Sequence, residues 1–208
     1  MGLQNTNFQK TILGNSGLPI YRLGLSATYR PGKKTIYRAI DEGVNYFFGF
    51  GIDTQLTRVL KDVMKGNRER FVVSTGAYNL IIGHPNLRRS LEKRLSQFNT
   101  DYIDAFLFLG VTKEKEFPES VRDELYRFKD EGKIRSVGIT THDRKFAGKL
   151  AAEGKVDTLM IRYNAAHRGA EQDIFPYLEK HNPAVVGYMA FMKRFGDAVY
   201  HTKKQSNK

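Results

Sequence analysis

Short apolar runs alternate with amphipathic segments along most of the chain. Near the N-terminus, two short runs flank residues 14–17, where glycine and asparagine tolerate the positive φ of a tight reversal. This stretch is predicted to be a β-hairpin that acts as a lid. Seven apolar runs follow and are predicted as buried strands, at residues 22–26, 44–48, 71–75, 102–109, 134–139, 156–161 and 184–189.

The amphipathic segments between these runs carry apolar residues at helical spacing. Helices are predicted at residues 34–42, 54–65, 86–98, 119–130, 144–152 and 171–179. Continuous apolar strands that alternate with amphipathic helices are typical of a parallel sheet covered on both faces. The sequence therefore predicts an α/β fold.

The number of strands narrows the architecture. Seven strand–helix units predict a TIM (β/α)8-type barrel that is incomplete, with its eighth strand absent and a hairpin at its N-terminus. A closed barrel typically takes about 250 residues, whereas this chain has 208. The alternative is an open doubly wound sheet, but no glycine-rich phosphate loop follows the first strand. We expect a barrel domain at residues 1–196 and a basic, disordered tail at residues 197–208.

An incomplete barrel leaves two parallel strands with unpaired edges. We therefore expect a covering segment or a homo-oligomer. No stretch reaches the roughly 18 uncharged apolar residues of a membrane span, so the expected location is the cytoplasm.

The amino-acid composition excludes several kinds of chemistry and points to none. The sequence has no cysteine, which excludes disulfides, zinc–thiolate sites, iron–sulfur clusters and thiol catalysis. The formal net charge is +12, but residues 193–208 alone hold five Lys or Arg against one Asp. The basic stripe on the predicted helix 86–98 has no aromatic residues for base stacking. The charge therefore argues little for nucleic acid, and no metal site is predicted.

Six short motifs follow one another along the chain: LGNSGLPI at residues 13–20, LGL at 23–25, EGVNYF at 42–47, SLEKRLSQFNTDYID at 90–104, GKIRSVGI at 132–139 and RYN at 162–164. In this order and spacing they resemble the aldo-keto reductase family from residue 13 to about residue 196. The resemblance implies a barrel that binds a nicotinamide cofactor, usually NADP(H), across its C-terminal face. It also implies hydride transfer to a carbonyl or from an alcohol.

Catalysis in that family uses an Asp, a Tyr, a Lys and a His, and the Tyr supplies the proton. At the corresponding positions this sequence has Phe48, Asp53, Gly76 and Leu109. The usual proton relay is therefore not present. Two functions stay open, a divergent NADP(H)-dependent oxidoreductase with a different acid, or a catalytically inactive barrel that binds a small ligand or a protein partner.

The resemblance also implies positions for the cofactor. Thr140 and Thr141 correspond to the pair that holds the carboxamide, and Tyr188 corresponds to the aromatic that stacks on the nicotinamide ring. Met160 stands where the family has a Gln, and Asn164 is a further candidate. The eighth strand and the basic loop that grips the adenosine phosphate have no counterpart in this sequence.

Side chains at the carboxyl ends of parallel strands line the site of a barrel, which selects polar residues after the fifth and sixth strands. Histidine is the side chain suited to acid–base work near neutral pH, which makes His142 and His167 candidate acid–base groups. Arg168 is a candidate for holding a carboxylate or phosphate. The structural alternative is that these groups cap helices and hydrogen-bond to loop backbone. Further catalytic candidates are Tyr78 and Asp53.

Overall fold

Strands and helices alternate through the three stretches that the computed structural model describes, residues 8–50, 54–78 and 86–189. The strands are β1 (Lys10–Ile12), β2 (Pro19–Tyr21), β3 (Leu25–Ser26), β4 (Tyr46–Phe48), β5 (Val72–Tyr78), β6 (Ile103–Val111), β7 (Ile134–Thr141), β8 (Thr158–Arg162) and β9 (Ala184–Tyr188). The helices are α1 (Lys33–Asp41), α2 (Thr54–Val63), α3 (Leu87–Phe98), α4 (Glu119–Asp130), α5 (Arg144–Glu153) and α6 (Ala170–Asp173).

Two sheets are built from these strands. Strands β1 and β2 form an antiparallel pair, which confirms the predicted hairpin. Strands β3 to β9 form a seven-stranded sheet in chain order, and every neighbouring pair in it is parallel. The predicted α/β class is therefore confirmed.

The parallel sheet is curled. The evidence is that side chains from strands far apart in the strand order meet on its inner face. One inner cluster joins Phe48 of β4 to Tyr188 of β9 at the carboxyl ends of the strands, which we call the mouth. A second joins Tyr46 of β4 to Ala184 of β9 at the amino ends, which we call the base. Packed layers of inward side chains are typical of a barrel interior.

The helices cover the outer face of the sheet. In β6, Phe106 and Phe108 face the helices, while Leu107 and Leu109 face the barrel interior. All four are buried. Burial on both faces explains why this strand has no polar alternation.

The hairpin lies against the base, so it covers the amino ends of the strands and not the mouth. Leu13 and Ile20 are buried beside Tyr46 and Ala184 in the base cluster. A Cβ atom on Gly14 would come within 2.3 Å of the backbone nitrogen of Ala184. The apolar positions of the hairpin thus close the end of the barrel opposite the mouth.

Two elements are less than half as long in the structure as the sequence predicts. The strand predicted at residues 22–26 is limited to Leu25–Ser26. The helix predicted at 171–179 stops after Asp173, and a 3-10 turn follows at Phe175–Tyr177. Pro176 accounts for this, because proline lacks the amide hydrogen that a continuing α-helix needs.

The edges of the parallel sheet are β3 and β9, which do not pair with each other within the residues described. The expected covering segment or homo-oligomer therefore stays a prediction. The predicted tail at residues 197–208 lies outside the described residues. None of the helices in the described stretches is long and apolar enough to cross a membrane.

Candidate active site

One half of the mouth is apolar. Phe48 and Phe50 stack with ring centroids 5.8 Å apart. They pack against a buried inner group that consists of Ala105, Leu107, Leu109 and Met160. These side chains offer a hydrophobic wall, and none of them could transfer a proton.

Three of the four positions that correspond to the family's catalytic groups fall in this apolar half. Phe48 ends β4, and Leu109 lies in β6 and is buried. Gly76 lies in β5, where a Cβ atom would come within 1.9 Å of the carbonyl oxygen of Leu107. Asp53 lies outside the described residues. The structure therefore has no space for a side chain at position 76 without movement of the backbone.

The other half of the mouth is polar, and its central feature is a contact between β9 and the loop after β7. The hydroxyl oxygen of Tyr188 lies 3.1 Å from His142 Nδ1 and 3.2 Å from Nε2. The two rings are nearly perpendicular. Partial burial raises the pKa of the Tyr188 phenol, and the charge of Arg162 opposes that shift. The structure thus joins a candidate acid–base group, His142, to the candidate nicotinamide-stacking residue.

The two threonines at the end of β7 make different contacts. The Thr140 hydroxyl accepts a hydrogen bond from the Gly110 amide at 2.7 Å, which leaves its own hydrogen available to a ligand. The Thr141 hydroxyl accepts from the Asp143 amide at 2.9 Å and is buried. Asp143 in turn caps α5 by accepting from the Phe146 amide at 3.0 Å. Thr140 therefore keeps a hydroxyl hydrogen that the contact with Gly110 does not use, whereas Thr141 supports the start of α5.

Asn164 and His167 belong to the loop after β8. The Asn164 side-chain amide donates to the Met189 carbonyl and accepts from the Ala166 amide, both at 2.9 Å. Asn164 and His167 also form an isolated antiparallel bridge. The Asn164 side chain therefore ties this loop to the residue that follows β9.

Arg168 is bound within its own loop. Its guanidinium makes two hydrogen bonds to the Glu171 carboxylate, at 2.8 Å each, and the Tyr163 hydroxyl donates to the same carboxylate at 2.9 Å. The neighbouring surface depression has a volume of about 370 Å³ and is lined by Ala166, Arg168, Gly169, Glu171 and Gln172. An anion at Arg168 would have to compete with Glu171.

Tyr78 lies at the rim of the apolar half. It is 45% exposed and packs edge-on against Phe50 with ring centroids 5.0 Å apart. Partial burial raises its pKa, and the charge of Arg94 on α3 opposes that shift. Sequence reasoning missed Arg94, because no local pattern shows that α3 brings a cation to the end of β5.

The polar half fits the nicotinamide end of a dinucleotide by its chemistry. Thr140 offers a hydroxyl donor for the carboxamide, and Tyr188 offers a half-buried ring at the mouth. Among the described residues no cluster of His, Asp or Glu could hold a metal ion.

Comparison with known proteins identifies the class. The sequence model of the aldo/keto reductase family matches residues 33–208, and the chain belongs to this family. It is similar to the aldo-keto reductase YhdN of Bacillus subtilis (strain 168), with 25% identity over 194 residues that cover 80% of this chain and 57% of that protein. It is also similar to the NAD(P)H-dependent D-xylose reductase I,II of Candida tropicalis, with 25% identity, 87% of this chain and 66% of that protein.

A solved structure supports the fold. An aldo/keto reductase from Klebsiella pneumoniae in complex with NADP and acetate matches with a TM-score of 0.71 and 23% identity, over 95% of this chain and 77% of that one. This likeness confirms the predicted TIM-barrel type. The chain spans 57% and 66% of the length of the two curated relatives described above.

Proposed function

We propose that this chain acts in an NADP(H)-dependent oxidoreductase that interconverts a carbonyl and an alcohol, with Tyr188 and His142 in place of the family's proton relay. The contact between the Tyr188 hydroxyl and the His142 imidazole, at 3.1 Å, carries the proposal. Family membership and the NADP that the related Klebsiella protein binds support the choice of cofactor.

Thr140 would hold the nicotinamide end through its hydroxyl, beside Tyr188. The nicotinamide, when it is bound in its reduced form, supplies a hydride to a carbonyl carbon. The apolar wall around Phe48 and Met160 excludes water from the reacting carbon, and exclusion of water strengthens electrostatic interactions inside a site.

Tyr188 supplies the proton. A tyrosine phenol is protonated at neutral pH, so the hydroxyl can donate to the oxygen of a carbonyl undergoing reduction. The positive charge of Arg162 favours the phenolate that remains. His142, in contact with the same oxygen, returns a proton to it from solvent.

The test combines cofactor binding with turnover. We expect NADPH fluorescence to change on titration with the protein, and a panel of aldehydes and ketones to be reduced. Tyr188→Phe keeps the ring and removes the proton, so we expect NADPH binding to persist while turnover falls by about 100-fold or more. His142→Ala should lower turnover in the same direction.

Tyr177→Phe is the matched control, because Tyr177 is an exposed tyrosine outside the mouth clusters. This variant should leave both readouts unchanged. Absence of NADPH binding would overturn the proposed cofactor. Turnover that survives Tyr188→Phe would overturn the proposed acid.

The second candidate is a catalytically inactive barrel that binds a small ligand. The close approach of Gly76 to the Leu107 carbonyl favours it, together with apolar side chains at Phe48 and Leu109. Under this alternative NADPH or another ligand would bind, and no substrate in the panel would turn over in the unaltered protein.

A further inference from the structure

Arg162 lies at the end of β8 on the inner face of the barrel. Met160, two residues earlier, belongs to the mouth cluster, and residues two apart in a strand point to the same side. Tyr163 packs on the outer side, edge-on against Phe175 with ring centroids 5.1 Å apart. Arg162 also stands directly opposite Tyr188 in the register of β8 and β9. Its side chain therefore projects into the mouth beside the Tyr188 phenol.

The guanidinium of Arg162 is not neutralised by the described part of the protein. Its Nε atom is buried and has no hydrogen-bond partner there. By contrast, Arg144 is paired with Asp173 and Arg168 with Glu171. Buried donors are almost always paired in native structures, and an unpaired one is costly. A partly buried cation of this kind at the mouth of a barrel is a group that a ligand could satisfy.

We propose that Arg162 binds the carboxylate of a 2-oxo acid that carries an apolar side chain. This inference rests on the proposed function, because it names the substrate class of the same site. A guanidinium matches a carboxylate through two parallel hydrogen bonds, which a neutral donor cannot do.

The position of Tyr188 fits the neighbouring carbonyl group. Adjacent strands lie about 4.8 Å apart, so a carboxylate at Arg162 places the adjoining keto oxygen near the Tyr188 hydroxyl. The apolar wall, which includes Phe48, Leu109 and Met160, would receive the side chain.

The reaction balances as a two-electron reduction. The C2 carbonyl carbon gains a hydride from the reduced nicotinamide, its oxygen gains the proton from the Tyr188 hydroxyl, and the π bond between them is lost. The product is the 2-hydroxy acid with the oxidised nicotinamide, and the carboxylate is unchanged throughout.

The test uses phenylglyoxylate as the probe and benzaldehyde as its uncharged counterpart. Calorimetry without cofactor should show phenylglyoxylate binding that weakens by about 10-fold or more in Arg162→Gln, a loss typical of a charged hydrogen bond. Arg162→Lys keeps the charge without the paired geometry and should recover part of the affinity. In turnover, loss of the Arg162 charge beside the phenolate should lower kcat for both substrates, whereas KM should rise more for phenylglyoxylate than for benzaldehyde.

Arg168→Gln is the control, because that guanidinium is already bound by Glu171. Thermal unfolding of each variant shows whether the fold is kept. Equal phenylglyoxylate affinity in the unaltered protein and in a folded Arg162→Gln variant would overturn the inference, as would equal competition by inorganic phosphate. Carboxylate binding that depends on Arg162 without any NADPH binding would support the anion site and overturn the proposed function alone. Benzaldehyde turnover with the same effect of Arg162→Gln on both substrates would do the reverse.

Discussion

The carbonyl oxygen of Leu107 lies 1.9 Å from the point where a Cβ atom on Gly76 would stand. Gly76 pairs with Leu107 in the register of β5 and β6, so this contact is part of the sheet itself. At the position that corresponds to the family's lysine, the backbone of β6 therefore occupies the space that a side chain would need.

Gly76→Ala should lower the free energy of unfolding by about 1–3 kcal/mol or more, because the added methyl group forces β5 and β6 apart. Gly187→Ala is the matched control in β9, where the nearest atom would lie 3.4 Å away, at ordinary contact distance. Urea unfolding of the two variants checks this. Equal stability of both would contradict the close approach. We also expect Gly76→Lys to add no turnover beyond that of the unaltered protein, since its side chain cannot enter the mouth without backbone movement.

Thr140 provides a test of the nicotinamide end. Thr140→Val removes the hydroxyl while keeping the shape, and Thr140→Ser keeps the hydroxyl. Since Thr140 accepts only the Gly110 amide among the contacts described above, we expect Val to weaken NADPH binding by about 5- to 10-fold, the value of one hydrogen bond, and Ser to leave it within about twofold. Fluorescence titration measures both, and equal loss in the two variants would point to packing instead.

Asp104 lies near the start of β6 and is fully buried. Its substitution tests the packing at the amino end of this strand. Its carboxylate accepts from Arg68 at 2.7 Å, from the Val73 amide at 2.8 Å and from Arg135 at 3.2 Å. Asp104→Asn removes the negative charge from a buried ion pair and should cost about 3–5 kcal/mol. Glu131→Gln, at a surface pair, should cost far less. Chemical unfolding distinguishes them, and a small loss for Asp104→Asn would show that this cluster is dispensable.

The hairpin can be tested with two adjacent residues. Leu13 is 4% exposed and packs into the base, whereas Ile12 is 51% exposed. Leu13→Ala should therefore cost about 2–5 kcal/mol, and Ile12→Ala should stay within about 0.5 kcal/mol. Thermal and urea unfolding give the comparison. Similar losses at the two positions would mean that the hairpin does not seal the base.

Tyr46 makes stability depend on alkaline pH. Burial raises the pKa of its phenol to about 12, while an unfolded tyrosine ionises near pH 10. The unfolded state therefore loses its proton first, so the contribution is intact below pH 10 and is lost as the pH rises toward 12. The free energy of unfolding should fall by up to about 1.4 kcal/mol per pH unit in that window.

Tyr46→Phe should reduce this alkaline slope, and Tyr37→Phe, at an exposed position, should not. Urea unfolding across the alkaline range gives the slopes. A slope that is the same in the unaltered protein and in Tyr46→Phe would contradict the role of burial.

Much of the fold could be predicted from sequence, because strands buried on both faces give continuous apolar runs such as Phe106–Leu109. The polar half of the site was harder. His142 and Tyr188 were predicted from strand ends and from the family resemblance, but the contact between them depends on how far the sheet curls. Arg162 lay in the RYN motif without an assigned role, although the alternation from Met160 would have placed it inside the barrel.

The hairpin also bears on how the chain folds. Asn15 donates to the backbone carbonyl of His181, a contact that spans 166 positions of sequence. Contacts of such sequence separation require the closure of a long loop before they stabilise anything, which slows folding. During synthesis the first residues of the domain must wait until nearly all of the sheet has emerged. The hairpin residues, which are synthesised before the strands of the sheet, therefore close the base only after those strands have come together.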